Sequence, residues 1–449
     1  MSRLLRFLLL VVALGAAVAG PARPNFVFLL TDDQRADTIR ALGNRHIQTP
    51  NLDRLVRAGT SFREAHIMGS PQHGAVCQPS RAMLLSGRSV FRVREDLRDT
   101  DTWPEQLRRA GYRTFLTGKW HNGEAAARRI FPEGRAVFFG GMSDQFAIRV
   151  ADLGAGNVSA RRTETNFTAQ VFADAALGFL REQTHGDPFC LYVAFTTPHD
   201  PRTAPAEFRR RYDPATLPLP ANFRPRHPFD NGELEIRDEQ LLPWPRTPAA
   251  IRGELADYYA SLTATDFQIG RLLAELDRLR LTENTVIVVA GDNGLALGSH
   301  GLLGKQNLYE HSTRVPLVVS GPGIRRGRRT DALSYLPDLA PTICALAGVE
   351  APFGSEGRDL GPLLRGESAA TGRPEVFTAY RHVQRSVRDG RWKLIEYPVP
   401  GRTQLFDLKR DPAELVDLSD HAAHREQLRR LLGSLREQQR QLGDPLAGP

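Results

Sequence analysis

The feature that most restricts the fold of this chain is the repeated alternation of short β-type runs with helical stretches. The run 25–30 is a compact apolar strand that delivers Thr31-Asp32-Asp33 at its C-terminal end. A helix is predicted over 50–58, because Thr49 is available to cap it, Pro50 suits its first turn, and Leu52, Leu55 and Val56 share a face. The pattern recurs with a helix over 103–110 stopped by Gly111, strands over 112–117 and 189–196, a long amphipathic helix over 255–279 and a strand over 285–290. Strands separated by helices predict an α/β fold: a large, mainly parallel (mixed) sheet sandwiched by helices.

The C-terminal part reads differently. After about Gly372, the short runs 375–380, 384–388, 392–397 and 404–407 are joined by turns such as Asp389-Gly390. They predict a smaller antiparallel sheet, followed by a polar helix over 421–442. The resulting division is a signal peptide over 1–19, a large α/β domain over 20–371 and a C-terminal subdomain over 372–449. Between Pro201 and Pro248 the chain is rich in Pro, Arg and Asn without periodicity, which predicts a long surface excursion near a site.

The N-terminus is read as an export signal. Arg3 and Arg6 flank an apolar run over 8–18 that ends in Ala17-Val18-Ala19. The run is too short for a stable membrane span, so the expected location is periplasmic or extracellular. A net charge of +8 suits an anionic substrate, but the excess Arg is scattered, which argues against a nucleic-acid partner. Three cysteines make no disulfide framework. Cys190 and Cys344 lie in apolar runs and read as inert buried thiols. Cys77, in a polar stretch containing Pro, needs another explanation.

Two acidic landmarks follow predicted strands: Asp32-Asp33, and Asp292-Asn293 within Gly291-Asp292-Asn293-Gly294. Either alone is an ordinary cap or turn. Two oxygen-rich strand ends in one parallel sheet point instead to a hard divalent cation. The segment Cys77-Gln78-Pro79-Ser80-Arg81, continuing to Gly87-Arg88, carries the most specific signal in the chain.

That segment resembles the signature of the type I, formylglycine-dependent sulfatases of the alkaline phosphatase superfamily. The resemblance continues in order through Gly118-Lys119-Trp120-His121, Pro198-His199-Asp200-Pro201 and Gly304-Lys305-Gln306. It implies a sulfuric ester hydrolase in which a formylglycine-generating enzyme converts Cys77 to 3-oxoalanine during export. It implies a cation, Ca²⁺ or alternatively Mg²⁺, held by Asp32, Asp33, residue 77, Asp292 and Asn293. By the same resemblance Arg81 holds the aldehyde hydrate and the metal environment, and Lys119 and Lys305 face the sulfate. His199 with Lys305 protonates the leaving alcohol, and His121 takes a proton in the second step. The expected substrate is a sulfated small molecule or glycan, with His300, Arg381 and His382 as candidate substrate-binding residues. A phosphodiester or phosphonate ester hydrolase of the same superfamily is the nearest rival reading. A non-catalytic protein that binds sulfated glycans is a rival of another class.

Overall fold

The computed structural model describes residues 23–72, 74–183 and 186–448. The expected signal peptide, 1–19, lies outside these residues. No helix among the described residues is long and apolar enough to cross a membrane.

Five strands form the parallel centre of a 12-stranded sheet, running side by side as Thr285–Gly291, Asn25–Thr31, Phe189–Ala194, Arg113–Trp120 and Glu133–Phe139. The first three of these are apolar at nearly every position, as strands covered on both faces must be. Antiparallel strands extend both sides: Arg314–Ser320 and Gly59–His66 on one, Ile148–Gly154 on the other. This is the expected large mixed sheet. One apolar layer packs Leu84, Trp103 and Ile343 against one face of it, and another packs Phe172, Ile269 and Leu276 against the opposite face.

The helix Pro50–Ala58 forms as predicted and buries Leu52, Leu55 and Val56. The expected side-chain cap does not. The Thr49 hydroxyl accepts from Arg40 N at 2.9 Å and donates to Asp53 Oδ1 at 3.1 Å, so it serves a neighbouring turn instead. The long helix spans Pro248–Arg278, starting seven residues before the apolar stripe that announced it. Thr247 caps it by accepting from Ala250 N at 3.2 Å, and Pro248 fills the first turn, where its missing N–H costs nothing.

The C-terminal strands Glu375–Tyr380, Gln384–Asp389, Trp392–Tyr397 and Arg402–Asp407 pair antiparallel in sequence order. The sheet has a fifth member the sequence did not announce. Gly69–Ser70, just upstream of Cys77, pairs parallel with Glu375–Tyr380, so this sheet is mixed and joined to the chain that leads into the site. The polar helix runs over Arg425–Leu442 after a turn at Ala422–His424.

A buried ionic knot locks the two sheets together. Lys393 Nζ lies 3.0 Å from Glu310 Oε1 and 2.9 Å from Glu414 Oε1, and Arg388 pairs with Glu64 at 2.6 Å. Burial pushes the Glu310 carboxyl up, but Arg388, Lys393 and His66 outweigh that and hold it well below its ordinary value. Glu414 is raised, by burial first and with Glu310 adding to it.

Candidate active site

Open α/β sheets place chemistry beyond the carboxyl ends of their parallel strands, and four strands converge there. Asn25–Thr31 hands over to Asp32 and Asp33, and Thr285–Gly291 to Asp292 and Asn293. Arg113–Trp120 carries Lys119 and leads into His121, and Phe189–Ala194 leads to His199. Ladder bonds continue past the strands: Asp292 N donates to Thr31 O at 3.0 Å and Asp32 N to Thr197 O at 3.1 Å. Gly118 lets two strands close up before Lys119, because it adopts φ +95° and a Cβ there would stand 1.9 Å from Ala194 O.

Adjacent acids on a regular strand point to opposite sides. Here the chain breaks from strand geometry at Asp33, which takes φ +64°, and both carboxylates turn inward. Asp33 N donates to Asp292 Oδ1 at 3.0 Å. Asp32, Asp33 and Asp292 each present a carboxylate oxygen within 4.8 Å of the other two, and all three are buried.

Cys77 opens the helix Cys77–Ser86, which ends at Gly87 in the left-handed conformation with its N–H on Met83 O at 2.7 Å. Residues three and four positions on share a helix face. That explains the spacing: Ser80 Oγ donates to Asp292 O at 2.6 Å, and Arg81 Nε donates to Asp292 Oδ2 at 2.8 Å. Arg81 Nη1 also donates to Lys119 O at 3.0 Å, and Nη2 stands 3.7 Å from Asp32 Oδ2. The Cys77 side chain thus sits at the positive end of a helix dipole. Two ammonium groups flank its Sγ, Lys119 Nζ at 3.7 Å and Lys305 Nζ at 3.8 Å. Lys119 pairs with Asp32, and Lys305 with Asp33 at 2.6 Å.

Burial pushes the Cys77 thiol up, with Lys119 and Lys305 pulling the other way. Burial would also raise Asp33, but Lys305 and His199 hold it well below the usual carboxylate range. Asp292 is pushed up to about 6, by burial first and Asp32 next, against the pull of Arg81. A crowd of carboxylates that cannot all be comfortably ionised is what a divalent cation relieves. The donor set fits one. Asp32 Oδ1 and Asn293 Oδ1 are buried without a hydrogen-bond partner among the described residues, and all the candidate protein donors apart from residue 77 are hard oxygens suited to Ca²⁺ or Mg²⁺.

His199 lies within this group, with Nε2 3.8 Å from Asp33 Oδ2. Its Nδ1 donates to Asp200 O at 2.9 Å, which leaves Nε2 as the atom that can exchange a proton. Burial first, then Lys305, lower it to about 4. His121, next to the same charges, is lowered to about 2 by burial, then Lys119 and Arg81, and its Nδ1 has no partner among the described residues.

The three expected substrate residues lie by the 201–248 excursion. His300 stacks on Tyr309 with ring centroids 3.9 Å apart, and its Nε2 accepts from Asn222 Nδ2 at 3.0 Å. No such contact joins it to the Cys77 group among the described residues. Its nearness to Lys305 in sequence misled, because 295–304 folds back on itself and turns His300 toward the 201–248 excursion. Arg381 pairs with Glu233 in that excursion at 2.6 Å, and His382 beside it is exposed.

The sequence also hid several members of the surroundings. Arg237 Nη1 donates to Asp200 Oδ1 at 3.1 Å, beside His199. Gln145 donates to His199 O at 3.3 Å, and Asn122 donates to Gln78 O at 2.9 Å, holding the start of the Cys77 helix. Asp200 had a signal, since it lies in the quoted Pro198-Pro201 motif. The others are single polar residues in aperiodic stretches.

Fold and site together define a hydrolase built on a mixed α/β sheet, with a cationic, carboxylate-backed pocket for an anionic ester. The sequence model of the sulfatase family matches residues 24–349, and that of the C-terminal part of N-sulphoglucosamine sulphohydrolase matches residues 298–441. The chain belongs to the sulfatase family, and is an enzyme of the sulfuric ester hydrolase class. It is 27% identical to an N-acetylglucosamine-6-O-sulfatase of Bacteroides thetaiotaomicron, covering 94% of this chain and 87% of that protein. It is likewise 27% identical to the N-acetylglucosamine-6-sulfatase of Homo sapiens, covering 86% and 72%. A solved structure in complex with its substrate D-glucosamine-2-N,6-O-disulfate matches with a TM-score of 0.80 at 26% identity, over 95% of this chain and 99% of that one. The phosphonate monoester hydrolase of Agrobacterium radiobacter shares the fold, with a TM-score of 0.75 at 21% identity over 93% and 96% of the two chains.

Proposed function

We propose that this sulfatase removes a sulfate monoester from a sulfated glycan built on an amino sugar, using residue 77 as formylglycine and one divalent cation, Ca²⁺ in preference to Mg²⁺. The observation that carries the reading is the placement of the Cys77 side chain at a helix N-terminus, between two ammonium groups and against three buried carboxylates. The amino-sugar substrate class rests on what the relatives are named for.

Asp32, Asp33, Asp292 and Asn293 would hold the cation, together with residue 77. When bound, it supplies a Lewis acid that makes an oxygen nucleophile available at neutral pH. As a formylglycine hydrate, residue 77 would offer two hydroxyls, one able to attack sulfur and one able to give up a proton as sulfate leaves. The remaining work belongs to the chain's own side chains. Lys119 and Lys305 would face the sulfate oxygens, where fixed charge in a dry pocket stabilises a developing anion far better than in water. Lys305 is suited to this, since Asp33 overcomes burial and holds it protonated well above its ordinary value. His199 Nε2 would give the leaving alcohol its proton, and the negative ester entering beside it raises its affinity for that proton. His121, neutral at working pH, would accept a proton during sulfate release. Arg381 and His382 would line the alcohol side of the pocket. The division into 20–371 and 372–449, with export to the periplasm or outside, belongs to the same reading.

The test combines peptide mass spectrometry around residue 77 with turnover of N-acetylglucosamine 6-sulfate, 4-nitrophenyl sulfate and a phenyl phosphonate monoester. Formylglycine with preferential release of sulfate is expected. Faster phosphonate cleavage would favour the activity of the phosphonate monoester hydrolase neighbour. A residue 77 that remains a thiol in active protein from its native host overturns the nucleophile.

A further inference from the structure

The 201–248 excursion contains a buried carboxylate that reaches no substrate or cation ligand, yet grips the backbone on which Lys305 stands. Glu239, 3% exposed, lies in the turn Arg237–Leu241. Its Oε1 accepts from Gly304 N at 2.8 Å and from Leu303 N at 3.0 Å, and its Oε2 from Leu303 N at 2.9 Å. Arg246, itself almost fully buried, donates to Oε2 at 2.8 Å and neutralises the charge. Gly304 has no room for a side chain. A Cβ there would stand 2.6 Å from Gln306 Oε1 and 3.2 Å from Glu239 Oε1.

A second tether comes from the neighbouring acid. Asp238 Oδ2 accepts from Gln306 Nε2 at 2.9 Å, and Gln306 Oε1 accepts from Lys305 N at 3.0 Å. Gln306 Nε2 also reaches Gly74 O at 3.2 Å, three residues before Cys77. The three successive N–H groups of Leu303, Gly304 and Lys305 are therefore held by one acidic pair, the last of them through the Gln306 side chain. Two N–H groups on a single carboxylate are short, charge-assisted bonds that hold direction as well as distance.

We propose that Glu239, supported by Asp238, is a positioning residue that sets where the Lys305 ammonium stands between Asp33 and residue 77. The inference rests on the role given to Lys305 above. A carboxylate that held the fold alone would have no reason to affect Lys305 chemistry more than any other step. One that aims Lys305 does, because a displacement of about 1 Å can cost a rate factor on the order of 100.

The experiment is a double-mutant cycle in the full-length, oxidised, cation-loaded enzyme, with 4-nitrophenyl sulfate as substrate and melting temperature followed in parallel. Glu239→Gln keeps the shape but replaces one acceptor by a donor facing either Leu303 N or Arg246. We expect kcat to fall by about 10- to 100-fold with KM changed by less than about 3-fold, and Lys305→Ala to fall at least as far. In the Lys305→Ala background, Glu239→Gln should then cost less than about 2-fold in kcat while its loss of melting temperature persists. Multiplying kcat losses in the double variant would overturn the proposal, as would an unchanged kcat for Glu239→Gln beside an impaired Lys305→Ala. If Lys305→Ala itself turns over normally, the role of Lys305 fails first and takes this one with it. Should Glu239→Gln not fold, the same cycle is run with Glu239→Asp, which keeps the charge and shortens the reach, and the same two outcomes decide.

Discussion

Removing Lys393 tests the ionic knot between the two sheets. The Lys393→Met variant preserves the apolar stem but leaves Glu310 and Glu414, both buried, with Arg388, Arg314 and His66 as the remaining cationic or titratable partners of Glu310. Breaking a buried pair by deleting one partner costs about 3–5 kcal/mol. With about 2.1 cal/mol/K of unfolding entropy per residue, the 449-residue chain turns that into a loss of about 3–5 °C in melting temperature. The pH dependence is the sharper signature. Glu414 is already raised by burial, and losing Lys393 raises it further and relaxes the depression of Glu310. A carboxyl whose folded pKa exceeds its unfolded value binds a proton more readily when folded, so stability returns as pH falls, by about 1.4 kcal/mol per pH unit and group. The gap between variant and parent should therefore be widest near pH 8 and should narrow by at least half at pH 5 in thermal melts. A gap that is constant across this range would refute the reasoning, since the lost energy would then be packing and not charge.

Other outcomes follow from the site and its surroundings. Cys77→Ser offers one hydroxyl and no means of releasing sulfate, so it should take up sulfate once and stop; steady turnover of 4-nitrophenyl sulfate would contradict the two-hydroxyl reading. Dialysis against a chelator should abolish turnover and lower the melting temperature, with Ca²⁺ returning both more fully than Mg²⁺. Gly118→Ala puts a methyl group into Ala194 O and should cost more than about 4 kcal/mol, read as loss of soluble, cooperatively melting protein. Burial holds His227 down to about 4, His300 to about 3 and His311 well below its ordinary value. The unfolded chain takes up these protons first, so stability falls as pH drops from about 6.5 toward 4; a His311→Phe variant should flatten that slope between pH 7 and 5, and an unaltered slope would count against it.

What could be read from the sequence depended on periodicity for the fold and on family resemblance for the site. The central strands were legible because burial on both faces leaves continuous apolar runs, as in Thr285–Gly291. Cys77, Ser80 and Arg81 were legible as a group through the family signature they resemble, while the helix that brings positions three and four apart onto one face was not. The two-residue strand Gly69–Ser70 was illegible, since its pairing is fixed by a partner more than 300 residues away. The first turns of Pro248–Arg278 were missed because Thr247 and Pro248 specify them through capping and not through an apolar stripe. His300 was misplaced because sequence adjacency to Lys305 does not say which way a folded-back loop faces. Glu239 left no trace, because its partners are backbone N–H groups that any residue would supply.

The seclusion of Cys77 has a consequence for the order of events in the life of the chain. The side chain is 2% exposed beneath Lys119, Lys305 and the Asp32 carboxylate, so an enzyme that oxidises it must act while 77–88 is still an accessible thread. Folding then closes a window. If residue 77 works as formylglycine, chains that fold before oxidation would stay silent, and the specific activity of a preparation would measure how the race between modification and folding was run.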